Sequence, residues 1–253
     1  MKYALFSDVH ANLPALDAVL ANIASREDVG ATFHLGDLVG YAPWPNEVVA
    51  RIAAAGIAGV AGNYDSTVAT DYKHCGCQYE DPQQEALSHL SYAWTREAVS
   101  LSTKAALGAL PYRIDLRPFG GHASGPTVTL VHGNQVLNTV YVHGDVVCVG
   151  HTHKPWHRTV DGVHYINTGS VGRPKDEDWR AGYVLLDVTT EGVTVEFVRV
   201  EYDIAAAMRG VRKSTLPSEF AEYLRTGGAP IAPIAPTVPT VHTRPTVPPW
   251  IAE

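Results

Sequence analysis

The sequence predicts an α/β protein built around a largely parallel sheet. Two observations carry that reading. Over roughly the first sixty residues, short apolar runs of strand formers alternate with stretches of helical periodicity, in the order strand, helix, strand, helix, strand. From Tyr112 onward, short strand-like runs recur between glycine-rich turns. The length, 253 residues, is enough to bury a real core as one domain or two small ones.

Tyr3–Phe6 reads as the first strand. Leu13, Leu16, Val19, Leu20 and Ile23 follow at helical spacing, with Pro14 in the first turn, where its missing N–H costs nothing. Thr32–Leu35 is the second strand, Asn46–Ala55 a helix behind Pro45, and Ile57–Ala61 the third strand. Pro82–Leu110 reads as one long helix, stopped by Pro111. The runs Tyr112–Leu116, Thr127–Val131, Val146–Val149, Trp156–Val160, Val163–Ile166, Tyr183–Val188 and Val193–Val200 are strands. Ile204–Val211 and Ser218–Leu224 are closing helices. From Gly227 the chain carries seven of its seventeen prolines, so 227–253 reads as an extended tail appended to a domain over 1–226.

Composition narrows the function. Apolar residues make up 45% and charged residues 18%, which excludes a disordered or fibrous chain. A net charge of −7 argues against a long nucleic-acid partner. No apolar run is long enough for a membrane span, and the opening MKYALFSDVHANLP does not resemble a secretory signal. Three cysteines fit a reducing cytoplasm better than a disulfide-built fold. Twelve histidines are the unusual feature.

Five segments place a metal-competent side chain directly after an apolar strand. They are Ser7-Asp8-Val9-His10, Gly36-Asp37, Gly62-Asn63-Tyr64-Asp65, His132-Gly133 and Gly150-His151-Thr152-His153. In open α/β sheets the loops beyond the strand carboxyl ends gather at one edge. Asp8, His10, Asp37, Asn63, His132, His151 and His153 are therefore expected in one cleft. This donor set has nitrogen and oxygen but no thiolate, which disfavours a structural zinc site. Seven donors, one shared, suit two divalent ions: Mn²⁺ first, with Fe, Zn²⁺, Co²⁺ or Ni²⁺ as alternatives. Such a pair can clamp a phosphoryl group.

These five motifs, in this order, resemble the calcineurin-like metallophosphoesterases, and within them the small bacterial and archaeal phosphodiesterase branch. The resemblance covers roughly 1–225. It implies a four-layer αββα sandwich of two mixed sheets flanked by helices. It implies that Asp8, His10, Asp37 and His153 hold one metal, that Asp37 bridges, and that Asn63, His132 and His151 complete the second. It also implies phosphoester hydrolysis by a metal-bridging hydroxide attacking phosphorus in line.

One position departs from the family pattern. The usual Gly-Asn-His-Asp or Gly-Asn-His-Glu is here Gly62-Asn63-Tyr64-Asp65. The family histidine touches the phosphate or protonates the leaving oxygen, and a phenol gives up a proton less readily at pH 7. Tyr64 is thus either an oxyanion contact or a packing residue, and leaving groups of low pKa are expected to be preferred. His74 is the nearest substitute acid in sequence, and Asp65 is a candidate for a supporting role. Asn167–Pro174 resembles a segment of the phosphodiesterase branch, with Ser170 bracing the ligands and Arg173 meeting a phosphate. His34 reads as a core histidine or one that orients a ligand. His74-Cys75-Gly76-Cys77 reads as a tight turn over the site or a redox-sensitive pair, and Cys148 as core. His89, His122, His143, His157, His164 and His242 carry no ligand pattern.

The leading expectation is a dinuclear phosphodiesterase acting on small phosphodiesters or nucleotide-type esters. The alternatives are a non-catalytic metal-binding scaffold on the same fold, and a phosphomonoesterase or phosphoprotein phosphatase. A scaffold has no chemical need for all seven donors. The acidic balance and the tail leave homo-oligomerisation open.

Overall fold

The apolar run at the start of the chain forms β1 (Lys2–Phe6), and the helical spacing after it forms α1 (Leu13–Ala24), capped by the Asn12 side chain. This computed structural model describes residues 1–77, 79, 81–120, 125–133 and 145–230. Then come β2 (Ala31–His34), α2 (Pro45–Ala54), β3 (Ala58–Gly59), α3 (Asn63–Ala69), α4 (Pro82–Ala98) and α5 (Leu101–Gly108). Next are β4 (Arg113–Leu116), β5 (Val128–Val131), β6 (Val146–Val149), β7 (Trp156–Val160) and β8 (Val163–Asn167). The described chain closes with β9 (Ala181–Val188), β10 (Val193–Val200), α6 (Ile204–Lys213) and α7 (Glu219–Arg225).

The strands form two mixed five-stranded sheets, ordered β10-β9-β1-β2-β3 and β4-β5-β6-β8-β7. In the first, β1, β2 and β3 run parallel and β9 pairs antiparallel with β1. In the second, β5, β6 and β8 run parallel, with β4 and β7 antiparallel at the edges. The parallel core read from the first sixty residues is therefore correct, but antiparallel strands border it in both sheets.

Alternation along the strands decides which side chains meet. Tyr3 and Leu5 of β1 point into a core with Val128 and Leu130 of β5, Val146 and Cys148 of β6, and Val184 and Leu186 of β9. Ala4 and Phe6, on the opposite face of β1, join a second core to which every helix contributes, including Leu16, Val48, Val68, Tyr92, Leu107, Val211 and Phe220. Each sheet is buried on its inner face, so register is fixed: a one-residue slip of β1 would exchange its two apolar sets.

Two elements differ from expectation. The long helix over Pro82–Leu110 is two helices, because Val99 is extended and the Ser100 hydroxyl accepts from Thr103 N at 3.2 Å to cap a new start. The helix α3 carries no strong apolar period and is too short to announce itself. Its N-terminus is marked instead by the Asp65 carboxylate accepting from Gly62 N at 3.0 Å. Residues 231–253 of the proline-rich tail lie outside the described residues, as do His122, His143 and His242. Among the described residues, no helix is long and apolar enough to cross a membrane.

Candidate metal centre

The parallel strands β1, β2, β5 and β6 all end at one edge of the double sheet, and each is followed by a turn that reverses the backbone. Asp8, His10, Asp37, His151 and His153 all have positive φ, between 46° and 72°. Such angles are costly for residues other than glycine and persist where the surroundings hold them, as they do at functional sites. Glycines make the turns possible by letting chains touch. A Cβ on Gly62 would lie 2.1 Å from Asp37 Oδ1, and one on Gly150 would lie 2.6 Å from Asp8 Oδ2.

These loops bring the expected side chains together in two groups. Asp8, His10 and His153 present one set of donor atoms within 4.8 Å of one another, and Asp37, His132 and His151 present another. Asp37 Oδ2 reaches both sets, 3.8 Å from His10 Nε2 and 3.4 Å from His132 Nε2. Asn63 Oδ1 lies 3.1 Å from His132 Nε2 and 2.9 Å from His151 Nδ1. All seven residues are thus in one cluster, and all but Asn63 and His151 are buried.

The proton balance of the first group is what a cation would need. His10 Nδ1–H donates to the Val39 carbonyl at 3.0 Å, and His153 Nδ1–H donates to the Arg173 carbonyl at 2.6 Å. Their Nε2 atoms then face each other at 3.0 Å. Burial pushes both rings well below the usual imidazole range, to about 3 for His10, so both are neutral. Two bare lone pairs at hydrogen-bond distance with no proton between them repel, and a cation placed between them removes that conflict. The donor set therefore fits a divalent ion, and the two carbonyls fix the ring orientation as such ligands require.

The second group holds a proton instead. Burial disfavours a charge on His132, but Asp37 and Asp8 outweigh it and raise His132 to about 10. Burial likewise opposes ionisation of Asp37, and His132, His10 and His151 overcome it and hold that carboxyl below its usual range. Asp8 goes the other way, raised by burial to about 7 despite its hydrogen bonds from Ser7 Oγ and His151 N.

The remaining sequence candidates separate clearly. Asp65 is fully buried and accepts from Leu38 N at 2.9 Å and Gly62 N at 3.0 Å, tying the Asp37 loop to the Asn63 loop. Ser170 Oγ donates to the Asp8 carbonyl at 2.7 Å and accepts from Arg173 N at 2.8 Å. Asn167, which opens the segment singled out in the sequence but carried no role of its own there, donates to the Gly150 carbonyl at 2.6 Å and so anchors the His151 loop. Asn63 Nδ2 donates to the Cys75 carbonyl at 3.1 Å and to Cys77 Sγ at 3.3 Å, which turns its Oδ1 toward the histidines. Cys75 and Cys77 are joined to each other across Gly76, and Cys148 is buried in β6.

Of the two readings of Tyr64, packing is the one its position fits, whereas His74 as a substitute acid needs correction. Tyr64 borders the cavity but is 1% exposed. Its ring stands edge-on to His10 at 5.5 Å, and its hydroxyl is directed at the Ser88 carbonyl and Ser91 Oγ. Burial raises its pKa above the ordinary phenol value, so it packs behind a candidate ligand and is a poor proton donor. His74 is exposed and meets Tyr72 at 4.9 Å, outside the cavity lining. His34 is buried with neither ring nitrogen hydrogen-bonded among the described residues, so it is neither a satisfied core histidine nor a ligand-orienting one. Burial lowers it to about 4 and keeps it neutral.

The cluster opens into a cavity of about 590 Å³. Tyr41, Tyr79, Trp156, Lys154 and Lys175 border it in addition to the candidate ligands. Lys154 and Lys175 are residues that sequence reading missed here, and no local pattern marks either.

A double β-sheet that gathers histidine, aspartate and asparagine at its strand ends defines a metal-dependent class of α/β protein. The particular family follows from comparison. Residues 1–191 match the calcineurin-like phosphoesterase superfamily domain, and the chain belongs to that superfamily. It is similar to the uncharacterized protein MJ0912 of Methanocaldococcus jannaschii, at 31% identity over 251 residues, covering 88% of this chain and 97% of the relative. Among solved structures it is similar to a metallophosphoesterase from Sphaerobacter thermophilus. That match has 28% identity, a TM-score of 0.69, and covers 90% of this chain and 99% of the other. It shares its fold with the hypothetical protein PH1004 of Pyrococcus horikoshii, at 21% identity and a TM-score of 0.74, over 90% of this chain and 98% of the other.

Proposed function

We propose that this protein is a dinuclear metal-dependent phosphodiesterase that hydrolyses small phosphodiesters or nucleotide-type esters. The observation that carries the proposal is the pair of bare imidazole nitrogens, His10 Nε2 and His153 Nε2, 3.0 Å apart beside Asp8 and Asp37. Asp8, His10, Asp37 and His153 would hold one ion, and Asn63, His132 and His151, with Asp37 shared, the other. Mn²⁺ is our choice, since mixed carboxylate and imidazole donors accept it. When bound, such ions supply Lewis acidity at the phosphoryl group.

The chain's own residues do the rest. The Val39, Arg173 and Leu35 carbonyls fix the rings of His10, His153 and His132, and Asp65 holds the two loops that carry Asp37 and Asn63. Lys154 and Lys175 border the cavity beyond these donors. No imidazole stands at position 64, so the leaving oxygen departs most readily when its own pKa is low. A cavity with room beyond the donors supports an ester substituent on each side of phosphorus.

The test is an assay on chelator-treated protein with and without Mn²⁺, comparing bis(p-nitrophenyl) phosphate with p-nitrophenyl phosphate. Asp37→Ala is expected to lower Mn²⁺-dependent diester cleavage by about a thousandfold, the order seen when a charge-stabilising group is removed. Faster monoester cleavage would overturn the diester assignment. Absence of turnover with any divalent ion that binds would favour a scaffold.

A further inference from the structure

A second cavity, of about 370 Å³, adjoins the first and shares Tyr79, Asp81, Lys154 and Lys175 with it. It also contains Arg173 and Tyr223. Arg173 is 6% exposed, yet among the described residues its Nη1 has no hydrogen-bond partner, and its Nη2 makes a 3.4 Å contact with Gln84 Oε1. The guanidinium carbon lies 4.0 Å from the centre of the Tyr41 ring and 6.0 Å from that of Tyr223. Lys175 is anchored through its backbone N–H, which donates to the carbonyl of His153 at 3.3 Å, and its Nζ stands 5.7 Å from the Tyr79 ring. Among the described residues, neither Arg173 nor Lys175 has a carboxylate within 4.0 Å. Among the described residues Asp81 is the acidic group in the lining, and its Oδ1 already accepts from Gln83 N at 2.9 Å, as the cap of α4.

A buried guanidinium with open donors costs stability unless something accepts from it. Its rigid fork matches phosphate geometry, and a lysine adds charge without demanding a particular angle. We infer that Arg173, Lys175 and Lys154 form a second, metal-independent phosphate subsite beside the candidate metal centre, and that its occupant is a non-reacting phosphate of the substrate. The preferred substrates are then phosphoesters that carry a second phosphate. This identity of the occupant rests on the phosphoesterase reading; the existence of the subsite does not.

Two arms test this on the full chain. The first measures inorganic phosphate binding by calorimetry, with Mn²⁺ and after chelator treatment. The chelator-treated protein is expected to bind one phosphate, and Lys175→Met and Arg173→Lys, checked for folding by circular dichroism, are expected to weaken it by about tenfold or more. If the arginine variant does not fold, the lysine variant still decides. The second arm compares kcat/KM for the p-nitrophenyl ester of thymidine 5′-phosphate with that for its 3′-phosphorylated derivative, which differ only in the second phosphate. The ratio favouring the bisphosphate is expected to fall by about tenfold in Lys175→Met, mainly through KM.

Metal-independent, Lys175-dependent phosphate binding without turnover would uphold the subsite while the phosphoesterase reading fails. The same binding with turnover but an unchanged ratio would overturn the substrate phosphate as occupant in favour of free inorganic phosphate. No phosphate binding by the chelator-treated protein would overturn the subsite, whatever the turnover.

Discussion

Tyr64 illustrates how position and role separate at the scale of a single residue. Its place in the motif is where the family carries a histidine, so the sequence invites a phosphate contact. The backbone N–H keeps the motif's structural duty by donating to Asp37 Oδ1 at 2.8 Å. The side chain turns into the core instead, against His10, Tyr41 and Tyr92. Tyr64→Phe removes long contacts of the hydroxyl, at 3.4 Å to Ser91 Oγ and 3.5 Å to the Ser88 carbonyl. It is expected to change kcat by no more than about threefold and stability by no more than about 1 kcal/mol, as for a weak hydrogen bond. Steady-state kinetics and urea unfolding check both, and a hundredfold loss of kcat would restore a proton-donor role. The seven metal-competent residues were legible because each follows an apolar strand. Arg173 was legible only by family resemblance, and Lys175 not at all, because its place depends on the loop after β8 meeting the His153 loop, where Lys175 N donates to the His153 carbonyl.

At the scale of elements, strands were read closely and helix ends less so. β6, β7 and β10 match the sequence reading to the residue, β6 as an apolar run and β7 and β10 as runs of strand formers bounded by turn residues. The α4–α5 break went unread because a serine cap is a short-range signal inside a long polar-apolar mixture. The start of α3 carries only the short local signal of Asp65 accepting from Gly62 N, and its place depends on contact between two loops. There Gly62 packs so tightly on Asp37 that Gly62→Ala must move one of them. The expected cost is about 1–3 kcal/mol, the range for overpacking, with Mn²⁺ affinity reduced at least about tenfold through the displaced carboxylate. Gly108→Ala serves as the comparison: its added Cβ would meet only Ala69 Cβ, at 3.5 Å, at the end of α5. That change is expected to leave metal affinity alone. Calorimetry and thermal unfolding of both variants separate the two cases, and equal effects would show that Gly62 does not act through Asp37.

At the scale of the whole molecule, the centre ties folding to metal and to pH. The folded His132 pKa, about 10, lies above the ordinary 6.5 because of Asp37 and Asp8. A raised pKa means that the folded metal-free chain holds the proton longer than the unfolded chain. Its contribution is full below about 6.5 and disappears as pH rises through about 10. A bound ion takes the place of that proton, so the loaded protein does not lose this contribution. The gap in Tm between Mn²⁺-loaded and chelator-treated protein is therefore expected to widen from pH 7 to pH 9. Proton release should track it. Near pH 8, Asp8 has already ionised and His10 and His151 are neutral, so loading the centre displaces about one proton, from His132. Near pH 6, Asp8 must also give up its proton, and release rises toward two. Calorimetry in buffers of different ionisation enthalpy reads this number directly. Proton release that stays constant across the range, or a Tm gap that narrows with pH, would mean that His132 does not exchange its proton for the metal, and the assignment of the second group would fall.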